Sequence, residues 1–258
     1  MRTLFSPVSP VSPAPSPETV VCNVGGRALL PCRWKQAPVA AAPHVEWASR
    51  TPAETIYEKW GAQTWSAPQY RGRAEIPEEQ LATGDCSLVL RDVQLMDGGV
   101  YDSYGTQGEG HVVSRVFVRS VRLSVRDHKI QKSVGVGENL VLELHTPHAQ
   151  RVVFQERGSD LPPDGRPPPY SRTCSRSQGY LPIEWGLLWL RGNQISPRLQ
   201  KPSGREEVLL SGAIPEDQGF YKVLDQHGLA VSTLLLTVHG QHHRAGFHDK
   251  GNRERGFP

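Results

Sequence analysis

The densest group of metal-binding side chains is His239, His242, His243 and His248, close to the C-terminus. Imidazoles hold zinc or copper when a fold converges three or four ligands on one point, often with cysteine or carboxylate completing the set. No such framework stands at matching spacing, so these histidines are expected to be solvated and to bind no metal. Gly105-Thr106-Gln107-Gly108-Glu109-Gly110 has the glycine content of a phosphate loop, but such a loop needs a helix N-terminus behind it. Its flanks read as strands, so a hairpin tip is expected. The pairs Glu78-Glu79 and Glu206-Glu207 could supply a general acid and base only if a substrate cleft held them. Each precedes a strand-like run and is expected to be a solvated turn charge. No Gly-x-Ser-x-Gly elbow and no Walker loop is present. The chain is therefore expected to be neither an enzyme nor a cofactor binder.

Two stretches repeat one another. Asp97-Gly98-Gly99-Val100-Tyr101-Asp102-Ser103 and Asp217-Gln218-Gly219-Phe220-Tyr221-Lys222-Val223 share the pattern Asp-x-Gly-x-Tyr. Each has an apolar run upstream: Leu88, Leu90 and Val93 in the first case, Leu209 and its neighbours in the second. Further upstream, Ala28, Leu30 and Cys32 alternate in phase, as do Leu140, Leu142 and Leu144. A period of two is the signal of a half-buried strand. Gly25-Gly26 and Gly135-Val136-Gly137 supply matching turns just before those runs. The chain reads as all-β, an internal duplication of one module. Its 258 residues suit two domains of roughly 100–150 residues. No apolar stretch reaches the ~18 residues that a membrane span needs. A net charge of +3 spread along the chain gives no reason to expect nucleic acid.

Asp-x-Gly-x-Tyr-x-Cys is the strand-F signature of immunoglobulin domains, where the tyrosine hydroxyl bonds back to the E–F turn. The chain resembles that superfamily twice, with Ser103 and Val223 in the two cysteine slots. Two tandem immunoglobulin-like β-sandwiches are expected, both without the B–F intersheet disulfide. Residues 1–16 read as a disordered Pro/Ser-rich tail, and residues 17–126 as a variable-type domain. Trp47 falls at the strand-C position, 15 residues after Cys32. The stretch bearing Tyr57, Trp60, Trp65, Tyr70 and Arg73 is long enough for the C′ and C″ strands of that type. His44-Val45-Glu46-Trp47, Tyr70-Arg71-Gly72-Arg73 and Gly84-Asp85-Cys86-Ser87-Leu88-Val89-Leu90 resemble the variable-type domains of butyrophilin-like, junctional-adhesion and proteoglycan-link proteins. That resemblance implies a pairing of Arg73 with Asp97 beneath the domain. Residues 128–238 resemble the intermediate-type domains of titin, obscurin and myomesin. There Phe154 is expected in place of the strand-C Trp, and residues 186–190 as C′. Residues 158–184, with Cys174, form a Pro-rich insertion. The tail over 239–258 is expected to be disordered.

By the resemblance, Cys32 faces Ser103 and is left as a free buried thiol, and Leu144 faces Val223 as an apolar pair. A noncanonical Cys22–Cys86 bridge stays open. Absence of both intersheet bridges is more common in a reducing compartment than outside the cell. The primary expectation is therefore a cytoplasmic protein-interaction module like a cytoskeletal or sarcomeric scaffold. The alternative is the ectodomain of a cell-surface adhesion or immune-regulatory receptor whose leader and anchor lie outside this sequence. Either way the partner is a protein, with homo-oligomerisation possible. Tyr57, Trp60, Trp65, Tyr70 and Tyr104 are the expected contact residues, because aromatic side chains anchor interfaces. Trp60 and Trp65 have a second reading as filling of the lower core. The structural set is Cys32, Trp47, Arg73, Asp97, Tyr101, Ser103, Leu144, Phe154, Asp217, Tyr221 and Val223.

Overall fold

The computed structural model describes residues 16–34, 44–107, 114–156, 185–193 and 195–240. The N-terminal tail through residue 15, residues 158–184 with Cys174, the Gly108-Glu109-Gly110 tip, and His242, His243 and His248 lie outside the described residues. The chain divides into two compact units between His128 and Lys129.

The first unit contains β1 (Glu18–Asn23), β2 (Ala28–Leu30), β3 (His44–Arg50), β4 (Ala53–Trp60), β5 (Gln63–Ser66), β6 (Ala74–Glu75), a short helix α1 (Glu78–Ala82), β7 (Leu88–Leu90), β8 (Gly99–Gln107) and β9 (Ser114–Arg126). One sheet has the order β1-β9-β8-β3-β4-β5 and the other β2-β7-β6. Alternation does the sorting. Leu30, Val45, Trp47, Leu88, Leu90, Val121 and Leu123 point inward and are almost fully buried, each such side chain contributing roughly 1.5–3 kcal/mol.

The second unit contains β10 (His128–Gly135), β11 (Leu140–Glu143), β12 (Ala149–Glu156), β13 (Gly186–Leu190), β14 (Leu199–Gln200), β15 (Glu207–Leu210), β16 (Gly219–Asp225) and β17 (Ala230–His239). Its sheets have the orders β10-β17-β16-β12-β13 and β11-β15-β14, the topology of the first unit without, among the described residues, a strand outside β13. Leu140, Leu142, Leu144, Val208, Leu210, Tyr221 and Val223 make its core. Gly25 and Gly137 enter the left-handed region, with φ of 77° and 86°, and so turn the chain into β2 and β11 at no side-chain cost.

The corner is built the same way in both units. Tyr101 donates its hydroxyl to the Asp97 carbonyl at 2.5 Å, and Tyr221 to the Asp217 carbonyl at 2.7 Å. Each aspartate closes a 3-10 turn by accepting a backbone N–H, from Gln94 at 2.7 Å and from Ile214 at 2.8 Å.

Three expectations change. Cys32 is not a free thiol: it is bonded to Cys86, with Cα atoms 4.8 Å apart. The register Ala28↔Leu90, Leu30↔Leu88 continues to these two residues, and the Cys86 N–H bonds the Cys32 carbonyl. The bridge thus joins strands B and E of one sheet, and the slot opposite remains Ser103. Cys22 is free and buried. Phe154 does not replace the strand-C Trp. Trp47 pairs with Ser103 in the first unit, and the residue pairing with Val223 in the second is Val152. Phe154 instead packs on the Tyr221 ring at 4.9 Å. The buried indole of the second unit comes from the neighbouring strand, as Trp189, register partner of Val152. Glu78 and Glu79, expected in a turn, occupy the first turn of α1, where the helix dipole favours negative charge.

Candidate protein-binding face

The larger sheet of the first unit turns one face to the core and one outward. Strand pairing brings Phe117 opposite Tyr104, Tyr104 opposite Glu46, Glu46 opposite Glu58, and Glu58 opposite Trp65. These five residues form one outward row across β9, β8, β3, β4 and β5. Four inter-strand steps of ~4.8 Å make the row roughly 19 Å wide. Trp60 lies two residues beyond Glu58 and so on the same face, opposite His44. Trp60 is 59% exposed, Trp65 51% and Phe117 53%.

Three ion pairs lie on this face. Arg115 grips Glu46 through Nε at 2.7 Å and Nη2 at 2.9 Å, while the Thr55 hydroxyl donates to the same carboxylate at 2.7 Å. The Arg115 guanidinium lies 3.4 Å from the centre of the Tyr104 ring, and Phe117 meets that ring edge-on at 5.9 Å. Arg50 holds Asp102 in the same two-pronged way, at 2.7 and 2.9 Å. His44 Nε2 is 2.6 Å from Glu58 Oε1, and its ring packs on Trp60 at 5.1 Å. Burial works against the charged form of Glu46, but the hydrogen bonds from Arg115 and Thr55 outweigh it and hold the carboxyl below its ordinary range. The Glu46 and Asp102 carboxylates raise the Arg115 and Arg50 guanidinium values respectively.

Of the expected contact residues, Trp60, Trp65 and Tyr104 reach this face. Tyr57 and Tyr70 do not, because both are core residues at 3% and 6% exposure. Tyr57 sits opposite Trp47 and accepts the Ile76 N–H at 3.3 Å. The Tyr70 hydroxyl meets that of Tyr101 at 3.2 Å, and burial raises the values of both phenols. A partner cannot touch either ring. Trp60 and Trp65 do not fill the lower core, since more than half of each is exposed.

The residues of the structural set lie as follows. Trp47 is fully buried and donates its indole N–H to the Cys86 carbonyl at 3.0 Å. Arg73 binds both oxygens of Asp97, at 2.8 and 3.1 Å, and two backbone carbonyls as well. Ser103 is buried, its hydroxyl donating to the Arg119 carbonyl at 3.2 Å. Leu144 and Val223 are both buried.

Sequence reasoning missed two groups. Arg198 binds Asp217 at 2.6 and 3.1 Å, the counterpart of Arg73 and Asp97. Its signal was an Arg 19 residues before the corner aspartate, against 24 in the first unit. Arg115 and Phe117, which complete the outward face, carried no local signal, because their role depends on pairing with β8. Among the described residues no group of three or more His, Cys, Asp or Glu could hold a metal, and no helix is long and apolar enough to cross a membrane.

Comparison with known proteins bears on the first unit above all. Residues 15–126 match the immunoglobulin V-set domain. The chain is 31% identical over 94 residues to butyrophilin-like protein 1 of Mus musculus, covering 35% of this chain and 18% of that protein. It is 30% identical over 117 residues to butyrophilin subfamily 1 member A1 of Homo sapiens, covering 43% and 22%. The Bos taurus protein of the same name is 23% identical over 184 residues, covering 69% and 33%. The chain thus spans between about a fifth and a third of the length of these relatives. With the duplicated corner and the sheet orders above, the match identifies the first domain as an immunoglobulin domain of the variable type, in a chain built of two immunoglobulin-like sandwiches.

Proposed function

We propose that the chain is a protein-binding portion of a cell-surface adhesion or immune-regulatory receptor, and that its first domain docks its partner on the outward face of β5-β4-β3-β8-β9. One observation carries the reading: Trp60, Trp65 and Phe117 stand exposed on a single face, with the Arg115–Glu46 and His44–Glu58 pairs between them. Large rigid rings bury much area for little lost freedom, which makes them good anchors. The row of ion pairs between them holds the strands in register and leaves no strong net field for a charged ligand. Similarity to butyrophilins supports the surface reading over the intracellular scaffold. The Cys32–Cys86 bridge supports it too, because disulfides persist mainly in oxidising compartments, and the scaffold expectation rested on reduced thiols.

The test is a binding assay with the whole chain displayed as a multivalent probe on a panel of cells, followed by affinity measurement on the partner it captures. Trp60→Ala or Phe117→Ala is expected to weaken binding by ~1–3 kcal/mol without changing the denaturation midpoint. Raising salt is expected to change affinity little, since the charges between the aromatic rings are paired with one another. Full affinity in Trp60→Ala, Trp65→Ala and Phe117→Ala alike refutes the assignment.

A further inference from the structure

One of the three ion pairs on the outward face of the first domain contains a histidine, the side chain type that changes charge near neutral pH. His44 Nε2 lies 2.6 Å from Glu58 Oε1, and the two side chains are 15% and 41% exposed. A carboxylate can only accept, so Nε2 carries the proton of the neutral ring, and the ring becomes cationic when Nδ1 takes up a second. The same ring packs on Trp60, with centroids 5.1 Å apart. Trp60 is the most exposed of the three anchor rings on this face. The charges around His44 come from the neighbouring strands. β4 supplies Glu58; Lys59, next along, stands opposite the buried Val45 and so belongs to the other face. β3 itself supplies Glu46, whose carboxyl the His44 charge helps to hold below its ordinary range. β8 supplies the Tyr104 phenol opposite Glu46, and β9 the Arg115 guanidinium that grips Glu46. β5 places Trp65 opposite Glu58 and carries no charged residue. With His44 neutral, two carboxylates against one guanidinium leave one negative charge, centred on Glu58 beside Trp60. With His44 protonated, the charges balance.

We infer that His44 is a proton switch beside the Trp60 anchor, which makes the outward face bind its partner more tightly as pH falls from about 7.5 to about 5.5. This rests on the docking role proposed for that face. A partner that covers Trp60 takes water away from Glu58. Desolvating a carboxylate with no balancing charge costs more than desolvating a neutral, hydrogen-bonded ion pair. The imidazolium also lies within the ~6 Å reach of a cation–π contact with the indole, so protonation fixes the anchor before docking. Both effects make the covered face hold the proton more firmly than the open one. By reciprocity, acid strengthens docking, with a ceiling of about tenfold per pH unit for a single proton.

Two measurements on the whole chain test this. The first needs no partner: histidine and tryptophan side chains are followed by NMR between about pH 5.5 and 8, the range in which histidine titrates. The Trp60 indole N–H signal, assigned by its loss in Trp60→Phe, is expected to shift with the same midpoint as the His44 ring. In Glu58→Gln the His44 midpoint is expected to fall. A Trp60 signal that does not follow His44 overturns the inference. The second measurement uses the chain as a multivalent probe on the cells that bind it, at about pH 7.5 and about pH 6, with near-ultraviolet circular dichroism to check the fold of each variant. Wild type is expected to bind at least about threefold more tightly at the lower pH, within the limit for one proton. His44→Gln is expected to lose that gain. Glu58→Gln is expected to reverse it, because protonation then leaves an unbalanced positive charge. An acid gain of equal size in wild type and His44→Gln belongs to the partner and overturns the inference while the docking assignment stands. Binding to no cell at either pH fails the docking assignment itself, and the inference with it.

Discussion

Removing the Cys32–Cys86 bridge is the most decisive perturbation, because its size follows from the position of the bond. The bridge closes a loop of sequence separation 54. In the chain-entropy treatment this restricts the unfolded state by about 14 cal/mol/K, or about 4 kcal/mol at 25 °C. Both cysteines are buried, and the Trp47 indole hangs from the Cys86 carbonyl, so loss of the bridge also loosens the centre of the core. A Cys32→Ala, Cys86→Ala double variant removes the bond without leaving buried thiols. Against an m-value of ~1–3 kcal/mol/M in urea, it is expected to lower the midpoint of the first domain's transition by at least about 1 M. The second domain's transition stays in place. Reductant added to the wild type should reproduce the shift, and non-reducing digestion should yield a linked peptide pair carrying Cys32 and Cys86. Alkylation of both residues in denatured, unreduced protein would refute the bond. A midpoint unmoved by the double variant would refute the energetic argument.

Three further substitutions test the duplicated corner and the outward face. Arg73→Met leaves Asp97 buried without its partner. With side-chain exposures of 12% and 5%, the cost is expected near 3–5 kcal/mol. Arg198→Met acts on a pair exposed at 36% and 14%, so the loss is smaller, about 1–2 kcal/mol after screening; equal midpoint shifts in denaturation would contradict the ranking. The Glu46 carboxyl has its value lowered in the folded state, so its contribution is present above the unfolded value and is lost as pH falls through the folded one. Glu46→Gln is therefore expected to destabilise at pH 7, by under about 1 kcal/mol given the exposed Arg115, and the gap to wild type should close below about pH 4. A gap that widens on acidification would show the sign to be wrong.

The strands and the corner were legible from residue order, because each rests on interactions within a few residues. Tyr101 reaches Asp97 four positions back, and Tyr221 reaches Asp217 over the same interval. Ala28, Leu30 and Cys32 share a face because a strand alternates with period two. The same rule held information that was not used: Tyr57 and Trp60 are three apart in β4 and so must point to opposite faces, one into the core and the other to solvent.

What tertiary structure alone decided is everything set by register between distant strands. Cys32 is in phase with Leu30, and Cys86 with Leu88 and Leu90, but that they oppose one another depends on how β2 aligns with β7. That Val152, and not Phe154, stands opposite Val223 is set by the register in which β12 aligns with β16. The row from Phe117 to Trp65 exists only after five strands have paired. Local sequence specifies which way a side chain points along its own strand; which residue it meets across the sheet is set by hydrogen bonding between segments that are far apart in the chain.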